Sequence, residues 1–204
     1  PIGPGYIPSH AHADTLSFEL SLFCEKFLVN VGTSEYENSL SRKYERSTKA
    51  HNTVEINGEN SSEVWSAFRV ARRAYPFDLK IEKSDKFLGV SCKHDGYKRL
   101  NGSPIHKREW KLFETSLIIK DSIKGIFKTA YAYFHLHPSI NIFTESKNFF
   151  YLQMPNGEKL VLQVDKGKPF IETSFYSTEF GKKIKSKCLK VLLIDEESCI
   201  KISW

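Results

Sequence analysis

Histidine is the side chain whose ordinary titration lies closest to neutral pH, so proton transfer and metal ligation are looked for there first. The sequence has seven: His10, His12, His51, His94, His106, His135 and His137. Two pairs, His10-Ala11-His12 and His135-Leu136-His137, share an H-x-H spacing. On extended backbone, residues i and i+2 project to one side, so either pair could offer two imidazoles to a single metal ion or substrate. Zinc prefers nitrogen and sulfur donors and commonly takes a carboxylate as well. Two histidines alone make a weak signal, and a structural or merely exposed role is the default for such a pair.

The first pair has a richer context. Ser9 to Asp14 reads Ser-His-Ala-His-Ala-Asp behind a Gly/Pro-rich opening, and a second stretch, Arg42 to Val54, concentrates Arg, Tyr, His and Asn. Such groups suit an acidic sugar: guanidinium matches carboxylate or sulfate in a bidentate manner, and imidazole or phenol can handle a proton. Each residue also has a plainer explanation. Arg42 and Arg46 could form surface ion pairs with Glu35, Glu37 or Glu45, and His51 could be a strand histidine bonded to a backbone carbonyl. His135 and His137 read as structural, while His94 and His106 lie in polar, turn-rich stretches and carry no functional expectation. Trp65, Phe68, Arg69, Arg72 and Arg73 could make an edge that stacks on sugars and binds anions, or simply one strand with a buried aromatic face and a solvated basic one.

The elements that must position these residues are mostly strands. Alternating patterns predict them at 27–31, 52–56, 79–82, 88–92, 112–119, 130–136, 149–153, 159–164 and 190–194. Turn signals fall between them at Asn57-Gly58, Asp95-Gly96, Asn101-Gly102, Lys124-Gly125 and Asn156-Gly157, the last marking the clearest hairpin. One helix is expected at 14–23, where Leu16, Leu20 and Phe23 repeat at helical spacing and Asp14 would cap it. With 15 Phe and 9 Tyr against a single Met, the composition suits pleated surfaces. The expected fold is all-β, stacked antiparallel sheets in a sandwich-like arrangement with one short helix near the N-terminus, as one domain over residues 1–204.

Composition narrows the function classes. The 204 residues include 40% apolar and 26% charged residues, which excludes a disordered chain. No apolar run approaches the roughly 20 residues a membrane-spanning helix needs. Residues 1–58 hold 5 Lys+Arg and 7 Asp+Glu (5 − 7 = −2), and the remainder hold 25 and 17 (25 − 17 = +8). The basic part could steer an anionic polymer. Lys182, Lys183, Lys185 and Lys187 are nevertheless dispersed as on one strand face, and no nucleic-acid motif accompanies them, so nucleic acid is not an expected partner. The four cysteines, Cys24, Cys92, Cys188 and Cys199, form no CxxC pair and read as buried free thiols. Three disulfide connectivities stay open for an exported protein. Pro1-Ile2-Gly3-Pro4-Gly5 has none of the marks of a signal peptide, and the chain reads as a piece of something longer.

Residues 5–20, Gly-Tyr-Ile-Pro-Ser-His-Ala-His-Ala-Asp-Thr-Leu-Ser-Phe-Glu-Leu, resemble the G-H-x-H-x-D-x-L-S-F-x-L signature of heparinase II/III-like polysaccharide lyases. The family's order continues with Val29-Asn30-Val31-Gly32-Thr33, Tyr36, the Tyr44-to-Val54 stretch, Asn57-Gly58 and Trp65 to Ala74. The strong matching covers residues 3–75; beyond them only the strand-rich pattern agrees. This resemblance implies a C-terminal antiparallel β domain whose N-terminal (α/α) toroid partner is missing from the chain, with substrate held in the cleft between the two. It implies His10 as the catalytic histidine and Tyr36 as a cleft tyrosine. His12 and His51 match two ligands of a metal, usually zinc, and Asn30 stands where the family's third ligand is an Asp in a V-D-x-G segment. A neutral amide there removes a negative charge, which should weaken zinc binding.

The chemistry implied is β-elimination on an acidic, uronic-acid-containing polysaccharide. A base removes the proton at C5, the C4–O bond breaks, and an unsaturated sugar remains. That C–H is a poor acid because its conjugate base puts a second negative charge beside the carboxylate, so the carboxylate must be neutralised. His10 is expected to serve this neutralisation or the proton transfer, with Arg42 and Arg46 holding anionic groups. The isolated domain is expected to bind oligosaccharide weakly and turn over nothing, and the resemblance implies a periplasmic or secreted location. Asn30 motivates an alternative: a non-catalytic saccharide-binding or assembly protein of bacterial surface-polysaccharide metabolism.

Overall fold

A computed structural model describes residues 2–204. In chain order, β1 (Leu20–Leu22) and β2 (Glu25–Leu28) form a hairpin, α1 (Leu40–Glu45) and a 3₁₀ turn (Thr48–Ala50) lead into β3 (Val54–Ile56), and β4 (Val64–Trp65) pairs with β5 (Arg69–Val70). The rest is strand after strand: β6 (Pro76–Lys83), β7 (Leu88–His94), β8 (Ile105–Leu112), β9 (Ser116–Lys124), β10 (Ala130–His135), β11 (Asn141–Ser146), β12 (Phe149–Gln153), β13 (Lys159–Lys166), β14 (Lys168–Tyr176), β15 (Ile184–Leu192) and β16 (Glu197–Ser203). An eight-stranded sheet runs β11-β12-β13-β16-β9-β8-β7-β6 and a four-stranded one β14-β15-β10-β3, with every pairing antiparallel.

The inward residues of both sheets make one core. Leu160, Leu162, Ile200, Ile202 and Ile119 from the large sheet meet Val54, Ala132, Phe134, Leu189 and Val191 from the small one. Burying each large aliphatic or aromatic chain stabilises the fold by about 1.5–3 kcal/mol. The alternation in β13 and β16 is what makes this possible, since every second residue is buried. The Asn156-Gly157 hairpin forms as expected, with Gln153 opposite Lys159 and Gly157 at φ 89°.

The expected helix at 14–23 is not formed; the short α-helix is α1, further along. Leu16, Phe18, Leu20 and Leu22 alternate with Ser17, Glu19 and Ser21, and this two-residue period prevails over the helical spacing of Leu16, Leu20 and Phe23. Phe18, Leu20 and Leu22 pack on the core from extended backbone, and Phe23 and Cys24, at φ 53° and 64°, turn the chain into β2. Asp14 caps nothing: its carbonyl accepts the Ser17 N–H at 2.8 Å in a turn. The expected strand at 112–119 is two strands, β8 and β9, joined by a turn in which Phe113 N–H donates to the Ser116 carbonyl at 2.8 Å. All four cysteines are free; Cys92 and Cys188 are buried, but Cys24 lies exposed in the β1–β2 turn, against the expectation of burial. Among the described residues no helix is long and apolar enough to cross a membrane.

Candidate functional site

Between the Gly/Pro-rich opening and β1 the chain makes two turns, closed by Ala11 N–H to the Pro8 carbonyl (2.9 Å) and Ser17 N–H to the Asp14 carbonyl (2.8 Å). Backbone bonds from Ala13 N–H to the Arg46 carbonyl (2.9 Å) and from Val31 N–H to the Ala50 carbonyl (3.2 Å) bind 10–13 and 29–33 to the 42–51 stretch. Gly32 sits at φ +80°, and a Cβ there would collide with the Ser177 carbonyl, so this close crossing needs glycine. Ser39 caps α1: its hydroxyl accepts the Arg42 N–H at 3.0 Å and donates to Glu35 Oε1 at 2.6 Å. The cap sets the helix so that Arg42 and Glu45, three residues apart, face inward together.

His10 and His12 both reach this stretch and end in different surroundings. The His10 ring is exposed and meets Tyr36 edge-on at 5.4 Å and Phe68 at 5.2 Å between centroids. Tyr36 also packs on Phe68 (5.7 Å) and on Phe180 (5.3 Å), giving an open aromatic notch around one imidazole. His12 points inward. Its Nδ1 lies 3.2 Å from Nε2 of the buried His51, and its Nε2 lies 3.2 Å from Nη1 of Arg42. Burial first, then the charges of Arg42 and Arg46, lower the His12 pKa to about 4, and burial with its neighbour His12 holds His51 well below the usual imidazole range.

The two arginines are not the solvent-facing anion holders expected from the sequence, nor surface ion pairs; each is only 1% exposed. Arg46 donates from Nε and Nη2 to the Ala11 carbonyl (3.2 and 3.0 Å) and from Nη1 to the carbonyls of Trp65 and Ser66 (3.2 Å each). It is a brace between the histidine segment and the β4–β5 hairpin, with its donors already engaged. Arg42 donates from Nε to the Ala67 carbonyl (3.3 Å) and from Nη1 to Thr33 Oγ1 (3.4 Å), and its guanidinium lies 5.1 Å from the Tyr36 ring centre and 5.9 Å from that of Phe68. Its Nη2 is buried with no partner among the described residues.

Neither guanidinium has a carboxylate within ion-pairing distance among the described residues. Glu45 is bonded instead by the Ser34 hydroxyl and lies 3.8 Å from Lys183 Nζ. Burial, opposed by Glu45, lowers the Arg42 pKa, and burial with Arg42 brings that of Arg46 to about 10. The sequestered Arg42 charge therefore lies against rings of the aromatic notch, with that of Arg46 near enough to feel it, a field that favours anions.

Asn30 does not complete a metal site with His12 and His51. Its Oδ1 accepts the Asn52 N–H at 3.3 Å, and its backbone and side-chain N–H groups both donate to Glu19 Oε1 at 3.1 Å. Two imidazoles, an engaged neutral amide and a neighbouring guanidinium are a poor donor set for a divalent cation. Among the described residues no group of three His, Cys, Asp or Glu could hold a metal ion.

The other sequence candidates divide cleanly. Trp65 and Phe68 are exposed, so the aromatic edge exists, but Arg72 pairs with Glu63 (2.5 Å) and Arg73 donates to the carbonyls of Ile2 and Pro4 (3.0 and 2.9 Å). His135 is buried between the Ser174 hydroxyl and the Lys49 carbonyl, 2.9 Å from each, and His137 bonds Ser139 at 2.7 Å, both structural as expected. His94 and His106 are not in loops; they are fully buried, paired across β7 and β8. Phe180 was missed. It lies in the β14–β15 connection, held by Gly181 N–H donating to the Ser34 carbonyl at 2.7 Å, and nothing in its local sequence signals that contact.

Comparison with known proteins bears on the family and the fold. The profile described as "Heparinase II/III-like, C-terminal" matches residues 1–204. Solved structures of similar fold include heparan sulfate lyase HepC from Pedobacter heparinus, at 18% identity and a TM-score of 0.77 over 98% of this chain. A crystal structure of Heparinase III aligns with 96% of it, at 18% identity and a TM-score of 0.73. The chain spans 31% of the length of each of these structures. At such identities the likeness shows the fold. No curated protein matches the chain in sequence.

Proposed function

Because this chain belongs to the heparinase II/III-like family as a C-terminal domain, we propose that it forms one wall of a groove in which an acidic polysaccharide is cleaved by β-elimination. The observation that carries this reading is the exposed His10–Tyr36 pair beside the buried Arg42 guanidinium, which lies 5.1 Å from the Tyr36 ring centre and, among the described residues, has no carboxylate within ion-pairing distance. A uronic acid carboxylate laid on the notch sits in that positive field, which lowers the cost of the second negative charge as the C5 proton leaves. The C–H electron pair becomes the C4=C5 double bond, the C4–O pair departs with the leaving oxygen, and that oxygen takes up a proton. The His10 imidazole and Tyr36 phenol are the groups of this chain placed to move those protons or to bond the carboxylate. Tyr36, Phe68 and Phe180 supply rings against which a sugar face can lie. No step is assigned to a metal ion. The opposite wall, with the remaining catalytic groups, belongs to a further domain of the parent chain, and the parent works in the periplasm or outside the cell.

Activity of the parent, followed by the ultraviolet absorbance of the unsaturated product, tests the reading. His10→Ala and Tyr36→Phe are each expected to lower turnover by about 10²–10⁴-fold, the usual range for a lost acid–base group. The 204-residue chain alone is expected to bind an acidic oligosaccharide weakly and release no product. Undiminished activity in His10→Ala, or ready turnover by the isolated chain, would refute the assignment. Saccharide binding by a parent that never forms unsaturated product would favour the second reading, a non-catalytic binding or assembly protein, for which Asn30 in place of the family's acid is the motive.

A further inference from the structure

The contact between Arg42 and His12 fixes where the protons of the buried imidazole pair lie. A guanidinium has donors only, so Arg42 Nη1, 3.2 Å from His12 Nε2, makes that nitrogen an acceptor. A neutral His12 then carries its proton on Nδ1, which donates across 3.2 Å to His51 Nε2. His51 in turn keeps its proton on Nδ1, a buried atom without a well-placed partner, where the Glu45 carbonyl alone favours it. No other neutral arrangement satisfies both contacts. Reversing the bond between the histidines would put a proton on His12 Nε2, facing an arginine N–H.

The same contact governs what the pair can hold. The 3.2 Å between His12 Nδ1 and His51 Nε2 is close to the nitrogen separation across a tetrahedral ion with bonds of about 2.0–2.1 Å. Ligation through Nδ1, however, moves the His12 proton to Nε2, where it meets a donor. Imidazoles bound to metal ordinarily give that second N–H to a carboxylate, a carbonyl or water. Arg42 has no room to turn aside, being bonded to the Ala67 carbonyl and Thr33 and covered by Tyr36 and Phe68. No negative ligand offsets its charge, since Asn30 is neutral and turned to Asn52.

We propose that Arg42, His12 and His51 form an arginine-ordered imidazole relay that holds the His10 segment in place without a metal ion, and that Arg42 is the residue that excludes zinc. This concerns the site assigned above but stands apart from its chemistry, because metal uptake by the chain is measured with no substrate present. Zinc chloride titrated into the 204-residue chain at neutral pH is expected to give no stoichiometric heat at micromolar metal and no rise in Tm. Asn30→Asp alone leaves this unchanged, whereas Asn30→Asp combined with Arg42→Met tightens zinc binding by roughly 10–100-fold. Long-range nitrogen–proton NMR on the unaltered chain is expected to find the proton on Nδ1 of both His12 and His51, a result that does not depend on any variant folding. One-to-one zinc uptake that disappears in His12→Ala would overturn the proposal. So would an Asn30→Asp chain that binds zinc as tightly as the double variant, or a His12 proton found on Nε2.

Discussion

The His94–His106 pair inside the large sheet and the His10–Tyr36 notch over α1 are assembled from similar residues and end in opposite conditions. Gly96 N–H donates to His94 Nδ1 (3.2 Å), His94 Nε2 donates to His106 Nδ1 (3.0 Å), and His106 Nε2 donates to Asp121 Oδ1 (2.7 Å). Arg108 grips both oxygens of Asp121 at 2.7 and 2.9 Å, and its remaining nitrogen donates to the carbonyls of Leu16 and Asn52. Each side chain of this chain of bonds is at most 1% exposed, and its polar groups are matched. His10, by contrast, is exposed and has ring contacts but no hydrogen bond among the described residues. Saturated polar groups hold a structure, and unsatisfied ones are available to a substrate. The two regions are also joined. Arg108 bonds the carbonyl of Asn52, whose side chain in turn bonds the carbonyls of Phe18 and Val29 and the N–H of His135, so the closed network anchors the backbone beside His51.

The largest test of that contrast is Asp121→Ala. It leaves the Arg108 charge buried without a countercharge and the His106 N–H without an acceptor, and breaking a buried pair in this way costs about 3–5 kcal/mol. Urea denaturation should show the midpoint falling steeply while the slope m is unchanged. A loss under about 1 kcal/mol would mean that the network is not the anchor its geometry suggests.

Acid should act through the same buried histidines. His94 and His106 are held below the usual imidazole range chiefly by burial, against Asp121, which pulls them up, while Arg108 pushes both down and His106, then Arg99, also lower His94. Burial alone brings His135 to about 4, opposed by the Lys49 carbonyl. In each case the unfolded chain takes a proton near pH 6.5 and the folded one does not, so stability falls as pH drops below 6.5, down to about 4 for His135. Each group contributes about 1.4 kcal/mol per pH unit across its window. Burial pushes Asp121 up, but Arg108 and then His106 together outweigh it and hold the carboxyl low, so it adds a second loss once pH falls below 3.8. Urea midpoints measured from pH 7 to pH 4 should fall throughout, and His135→Gln should flatten the slope. A flat profile in the unaltered chain would show that these histidines titrate alike in both states.

The strands were legible wherever alternation met a good turn, as at Asn156-Gly157, because side-chain period and turn chemistry are both local. The segment at 14–23 misled because Leu16, Leu20 and Phe23 fit one period while Leu16, Phe18, Leu20 and Leu22 fit another, and the strand partner that decides between them lies outside the window. His10, Tyr36, His12 and His51 could be picked out by motif, and the structure brings them into two adjoining groups. What the arginines do was not legible. Their acceptors are backbone carbonyls of Ala11, Trp65, Ser66 and Ala67, and a carbonyl leaves no trace in residue identity. The histidines of β7 and β8 were hidden for a related reason, since the Asp121 that bonds His106 and Arg108 comes from the neighbouring strand β9, far away in sequence.

The smallest effects should come from the open notch. Phe68→Ala removes a half-exposed ring that touches His10 and Tyr36 and lies 5.9 Å from the Arg42 guanidinium, for which about 1 kcal/mol is expected in urea titration. His10→Ala should change stability by no more than about 0.5 kcal/mol, because the imidazole is exposed and its loss leaves no buried polar group unmatched. Arg46 continues to hold the Ala11 carbonyl next to it, so the backbone that carries residue 10 keeps its place. A residue that contributes almost nothing to folding yet abolishes turnover in the parent is what a substrate-facing group predicts. If His10→Ala instead destabilised the chain as much as Asp121→Ala, the imidazole would belong with the matched, structural histidines, and the division between the two regions would fail.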